Sequence, residues 1–185
     1  MKSTLRNMVL SLGGFSAASA LALGLCYNAT IEPRRQAESD AANRAIEAVL
    51  PAFDNSPAQE VVAFDESKLY PAYMDGQLVG AAVETVTHDG FSGDISLIVG
   101  FAADGKLVDY AIMSHAETPG LGAKAVDWFK DPQGNRSILG SDGELALAKD
   151  GGSVDGITAA TITSRAFINA VNNARQIYIN YIEEQ

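Results

Sequence analysis

One cysteine stands among the 185 residues, and that scarcity closes several routes to function. Cys26 alone makes no intrachain disulfide framework, no thiolate zinc site and no cysteine-ligated iron–sulfur cluster. Positive charge is short as well: 13 Lys and Arg face 23 Asp and Glu, a formal net charge of −10. A nucleic-acid partner requires Lys and Arg to displace counterions from its phosphates, so the acid excess argues against one. Histidine is equally sparse. His88 and His115 have no companions at metal-ligand spacing, so no metal site is expected.

What the chain does have is a long apolar run. Lys2 and Arg6 lead into an uncharged stretch, Asn7 to Ile31, with an apolar centre from Met8 to Tyr27. About 20 helical residues cross a bilayer core of about 30 Å, and this run reaches that length. Ala20-Leu21-Ala22 offers a signal-peptide cleavage site, but the run outlasts an ordinary signal core and favours an uncleaved anchor. Bulky Leu25 before Cys26 argues against a lipoprotein. The two cations and the amino terminus favour a cytoplasmic N-terminus, while Arg34 and Arg35 pull the other way. Without Lys2 and Arg6 the remainder carries 11 Lys and Arg against 23 Asp and Glu, net −12. The expected layout is a cytoplasmic tip and transmembrane anchor over 1–31, a membrane-proximal helix and linker over 32–58, and a domain over 59–185. That domain is expected on the periplasmic or extracellular side of a bacterial inner membrane, attached by a single pass.

The spacing of Ala42, Ile46 and Leu50 predicts a separate helix from Arg35 to Leu50, stopped by Pro51. β-Branched runs at Leu78–His88 and Asp94–Phe101 predict strands, with a reversal at Asp89, Gly90 and Gly93 between them. Asp104-Gly105 signals a hairpin. A helix is expected over Gly122 to Lys130, then a short strand over 144–149. The last helix is the clearest. Phe167, Ala170, Val171, Ala174, Ile177, Tyr178 and Tyr181 share one apolar face, with Asn169, Asn172, Arg175 and Glu183 on or near the other side. The fold class is α+β: an N-terminal transmembrane helix, then an antiparallel sheet packed with helices.

Two stretches carry chemistry. The first, Val154 to Phe167, places small residues and the hydroxyls of Thr158, Thr161, Thr163 and Ser164 at a helix N-terminus, with Asp155 just upstream. Free N–H groups and the helix dipole there attract an anion, commonly phosphate. A plain N-cap would use the same residue types. The second, His115 to Gly122, is a tight loop shaped by Pro119, Gly120 and Gly122 that can approach a flat ligand. A structural strand-to-helix turn reads the same way, and His115 with Glu117 is a weak acid–base pair without a third partner.

The order of residues adds a resemblance. Asp155-Gly-Ile-Thr158-Ala159-Ala160-Thr161 resembles the flavinylation motif, Asp-x-x-Ser/Thr-Gly-Ala-Thr, of FMN-binding domains in Rnf and Na⁺-translocating NADH:quinone reductase complexes. His115-Ala-Glu117-Thr118-Pro119-Gly120-Leu121-Gly122 is similar to that family's HxETPGLG loop. Gly90-Phe91-Ser92-Gly93 resembles its Gly-x-x-Gly turn, and Trp128 fits its following helix. The length is closer to that of the G subunit of Rnf electron transport complexes than to the longer C subunit of the quinone reductase. The resemblance implies covalent FMN, joined as a phosphodiester to Thr161 by a flavin transferase. It implies FMN contacts at Asp155, Thr158, Ala160, Glu117, Thr118, Gly120 and Leu121. Ala159 departs from the family's usual Gly. The implied role is an electron carrier in an Rnf-type complex that couples ferredoxin/NAD electron transfer to Na⁺ or H⁺ translocation, with other complex subunits as partners. Other readings are a stand-alone membrane-anchored extracellular flavin electron-transfer protein or reductase, a flavin-binding membrane regulator, and a non-flavinylated binding module.

Overall fold

The computed structural model describes residues 5–184. Lys2 and the amino terminus, on which the orientation expectation partly rests, lie outside them. The chain divides into two compact units, Met1–Ala41 and Ala42–Gln185. Helix α1 runs over Leu5–Val49 and includes a stretch long and apolar enough to cross a membrane. The anchor and the membrane-proximal helix, expected as separate elements, are one continuous helix with Pro33 inside it. Proline deletes one backbone donor, and the Ala-, Glu- and Arg-rich residues around it are strong enough helix formers to carry the helix through.

The second unit is built on a five-stranded antiparallel meander in the order β1-β2-β3-β4-β5. The strands are β1 (Val62–Phe64), β2 (Ser67–Met74), β3 (Gln77–Thr87), β4 (Ile95–Ala102) and β5 (Leu107–His115). Side chains alternate across a strand, so each strand feeds two faces. Val83, Leu97, Val99 and Phe101 join the larger core beneath the final helix, α3 (Thr161–Glu183). Their neighbours Tyr70, Ala82 and Ile98 pack with Ile46, Val49 and Leu50 on the opposite face. Both faces being covered explains why β4 reads as a nearly unbroken apolar run. Gly100 sits where a Cβ would overlap the Val49 carbonyl, so only glycine admits the end of α1 this close to the sheet.

The Asp104-Gly105 signal marks the β4–β5 hairpin: Gly105 takes φ +80° and donates its N–H to the Ala102 carbonyl at 2.8 Å. The reversal at Asp89–Gly93 likewise separates β3 from β4. Three further expectations change. The helix over Gly122 to Lys130 is a 3-10 turn, Gly122–Lys124, followed by the four-residue α2, Ala125–Trp128. Lys130 and Asp131 donate back three residues to Asp127 and Trp128, closing the turn ahead of Pro132. The strand expected over 144–149 is absent, because Asn172 takes both backbone groups of Leu145: its Oδ1 accepts the N–H at 2.9 Å and its Nδ2 donates to the carbonyl at 2.8 Å. Only one bridge, Leu147 to Val154, remains. Arg175, assigned to the polar side of α3, is buried at 5% exposure.

Candidate functional site

The meander brings the end of β3, the start of β4 and the end of β5 to one edge, where Thr87 pairs with Ile95 and Ile95 with His115. The 88–94 turn and the 116–122 loop leave from that edge and meet the N-terminus of α3. Between them lies a cavity of about 320 Å³, lined by Phe91, Glu117, Thr118, Leu121, Gly122 and residues 159–163. Such a volume is within the range of small-molecule sites. Its rim is apolar and open to solvent: Phe91 is 66% exposed, Ile162 51% and Leu121 40%.

Glu117 holds the walls together. Its carboxylate is buried, with Oε1 accepting the Ser92 N–H at 3.0 Å and Oε2 accepting the Thr163 hydroxyl at 2.5 Å. One side chain thus ties the 88–94 turn, its own loop and the first turn of α3. Gly122 completes the clasp, since a Cβ there would run into Glu117 Oε2 and Thr163 Oγ1. The Thr118 carbonyl accepts from the Leu121 and Ala123 N–H groups, which curls the loop and turns Leu121 into the cavity.

The plain N-cap alternative does not describe the start of α3. Its cap residue is Ala160, no side chain caps it, and no acidic residue lies in the first turn. The Ser164 N–H makes the first helical bond, to the Ala160 carbonyl at 3.0 Å, so the N–H groups of 161–163 precede the ladder and carry the positive end of the dipole. The four hydroxyls part company here. Thr163 is engaged by Glu117, and Ser164 accepts from the Ile157 N–H and donates to the Ala160 carbonyl. Thr158 is exposed outside the cavity lining, which leaves Thr161 as the one of these four hydroxyls that lines the cavity without being buried.

Ala159 adopts φ +62°, a left-handed conformation that costs an L-residue about 1 kcal/mol or more. It occupies the motif position where glycine is usual, and the backbone shape explains that preference. Replacing Ala159 with glycine is expected to raise stability by up to about 1 kcal/mol, the relieved strain being partly offset by unfolded-chain entropy. A lower denaturation midpoint for Ala159→Gly would contradict this.

Of the expected contacts, Thr161, Ala160, Glu117, Thr118 and Leu121 converge on the cavity, while Asp155, Thr158 and Gly120 lie outside its lining. Asp155 faces another way: its Oδ2 accepts the Asn135 N–H at 3.0 Å and its carbonyl accepts Trp128 Nε1 at 2.8 Å. Trp128 is in turn covered by the Arg136 guanidinium, 4.1 Å from its ring centroid. Asp155 and Trp128 therefore brace the loop entering α3. His115 Nδ1 accepts the Glu117 N–H at 3.2 Å, a local turn contact. His88 sits on the surface between Asp94 at 2.8 Å and Glu66 at 3.2 Å, and the bond to Asp94, then that to Glu66, pushes its pKa up. Among the described residues no group of three His, Cys, Asp or Glu is arranged to hold a metal ion.

Ile162, Thr163 and Lys149 were not singled out as contacts from sequence. Apolar Ile162 at a helix start hinted at a ligand face, but Lys149 gave no signal. Its Nζ donates to Thr161 Oγ1 at 3.3 Å across twelve residues of chain.

These features suit a flavin mononucleotide: an apolar-rimmed cavity for a flat ring, beside an uncapped helix N-terminus and a lysine for its phosphate. Residues 90–176 match the family model of the FMN-binding domain. The G subunit of the ion-translocating oxidoreductase complex of Vibrio cholerae serotype O1 is 33% identical over 199 residues, covering 100% of this chain and 95% of that protein. The corresponding protein of Escherichia coli O157:H7 is 33% identical over 201 residues, covering 100% of this chain and 96% of that protein. That of Erwinia tasmaniensis reaches 42% over 121 residues, covering 63% and 57%. With an FMN-binding domain over residues 90–176 and relatives matched along the full chain, the protein belongs to the family of G subunits of ion-translocating oxidoreductase complexes.

Proposed function

We propose that this protein is a covalently flavinylated electron carrier, with FMN joined through a phosphodiester to Thr161, in a complex that couples ferredoxin/NAD electron transfer to Na⁺ or H⁺ translocation. The observation that carries the reading is the Thr161 hydroxyl at the cavity, standing at an uncapped helix N-terminus. Bound FMN would supply one- and two-electron chemistry, and the protein's part is to hold it, tune it and control access. Phe91, Leu121 and Ile162 would cover the apolar ring and exclude water from it. The N–H groups of 161–163 would offset the phosphate charge. Glu117 would keep the two loops closed against α3.

The apolar stretch of α1 supports a single-pass anchor in the bacterial inner membrane, and we place the domain on its periplasmic or outer side. A covalent link suits that location, where a dissociated flavin would be lost. Other membrane and peripheral subunits of the complex would be the electron partners, with a flavin transferase acting during maturation.

The test is intact-mass analysis of the full chain coexpressed with a flavin transferase. The expected product gains FMN less one water, at Thr161, and fluoresces after denaturation. Thr161→Ala is expected to lose the adduct completely while keeping its melting temperature. A wild-type chain without added mass, or an adduct that survives in Thr161→Ala, would refute the assignment.

A further inference from the structure

Lys149 reaches Thr161 because its loop is tied down at both ends. The Ala148 N–H donates to the Val154 carbonyl at 2.8 Å, and the Val154 N–H to the Ala146 carbonyl at 3.1 Å. Between them the chain makes a 3-10 turn, Ala148–Asp150, and reverses through Gly151 at φ +92°. Asp150 then docks this turn on α3: Arg165 Nε and Nη2 donate to its two carboxylate oxygens at 2.8 and 2.6 Å. That bidentate bond, with a smaller contribution from the nearby Lys149 charge, holds the Asp150 carboxyl below its usual pKa and leaves the Lys149 ammonium free to bond elsewhere. Lys149 thus keeps its ammonium on the Thr161 hydroxyl, in a protein with a net charge of −10.

We propose that Lys149 is the phosphate-positioning residue for the modification of Thr161. It holds the phosphoryl group of the incoming flavin against the hydroxyl, and afterwards it pairs with the phosphodiester. The inference rests on the flavinylation reading above. In the transfer, Thr161 Oγ attacks the flavin-side phosphorus of a flavin dinucleotide. The new P–O bond forms as the pyrophosphate P–O bond breaks, and a nucleoside monophosphate leaves with the bonding pair. The hydroxyl proton passes to a base on the transferase, since an ammonium has hydrogens to donate and no lone pair to accept one. Lys149 supplies charge and placement only. Because phosphate is recognised here as a point charge, arginine can stand in for it.

The test follows adduct formation in time by intact mass, using the full chain in detergent with a flavin transferase and flavin dinucleotide. Lys149→Ala is expected to slow the initial rate about tenfold, the effect of losing one charged hydrogen bond. Lys149→Arg should stay within about threefold of wild type on the same grounds. Lys149 is exposed, so the melting temperature of the unmodified Lys149→Ala variant should not move. Lysine acetylation mapped by mass gives a second reading: Lys149 should label readily before flavinylation and several-fold more slowly after it. A wild-type rate in Lys149→Ala, or equal labelling in both forms, overturns the proposal. An adduct in Thr161→Ala, or none in wild type, overturns the flavinylation reading on which it rests.

Discussion

Glu117→Ala is expected to lower stability by about 3 kcal/mol, near 10 °C in melting temperature for a domain of this size. The loss comes from what the carboxylate leaves behind. The Ser92 N–H and the Thr163 hydroxyl both donate to it; the buried Thr163 hydroxyl without an acceptor costs about 1–3 kcal/mol, and the part-buried Ser92 N–H adds to that. Those donors belong to two different walls of the cavity, so the damage is structural as well as energetic. The 88–94 turn and the first turn of α3 lose their common tie, and the flavin ring would meet a looser, wetter site. Glu117→Gln retains one amide oxygen to accept and should fall between wild type and Glu117→Ala. Thermal melting of the unmodified protein measures this without any flavin. A shift below about 2 °C in Glu117→Ala would mean that the clasp is not what closes the loops.

Arg175→Ala is expected to cost a similar amount, about 3 kcal/mol, with no direct effect on the cavity. Arg175 lies two turns beyond Phe167 on α3, at the far end of the sheet from Thr161. Its Nη1 donates to the Gly105 carbonyl at 2.9 Å, and Nη2 donates to the Ser141 carbonyl at 3.0 Å and the Ser141 hydroxyl at 3.1 Å. The guanidinium also lies 5.3 Å from the Phe101 ring centroid. Burial pushes its pKa down, and Nε finds no partner, so part of its desolvation goes uncompensated. The bonds it does make lock the β4–β5 hairpin, the 138–143 loop and α3 together. Arg175→Lys should recover less than half of the loss, because one ammonium cannot span both carbonyls in the guanidinium's fixed geometry. Chemical denaturation checks the magnitude. Adduct yield at 25 °C should stay at the wild-type level, and a loss of adduct with intact folding would contradict the separation of lock and site.

Much of the fold was legible because it rests on local periodicity. The β-branched runs, the Asp104-Gly105 turn and the apolar stripe of α3 each carry their signal within about ten residues. Errors fell where a distant side chain decides the local structure. Residues 144–149 have strand-like composition, yet Asn172 satisfies Leu145 in place of a neighbouring strand. Arg175 has a charged residue's composition, yet it is buried because two distant carbonyls converge on it.

The site divides the same way. Sequence alone determined the family, the loop and the helix start, since a motif is an ordered local string and its resemblance survives without coordinates. It also named Thr161, by position in that string. It could not separate the four hydroxyls physically, explain the usual glycine at 159, or find Lys149. Those needed tertiary structure: Glu117 engages the Thr163 hydroxyl, the Ile157 N–H and the Ala160 carbonyl engage that of Ser164, the backbone at 159 adopts positive φ, and a docked loop carries Lys149 to Thr161. The hydrogen bonds among them depend on which groups a folded chain brings within range, and spacing along the sequence does not encode that distance.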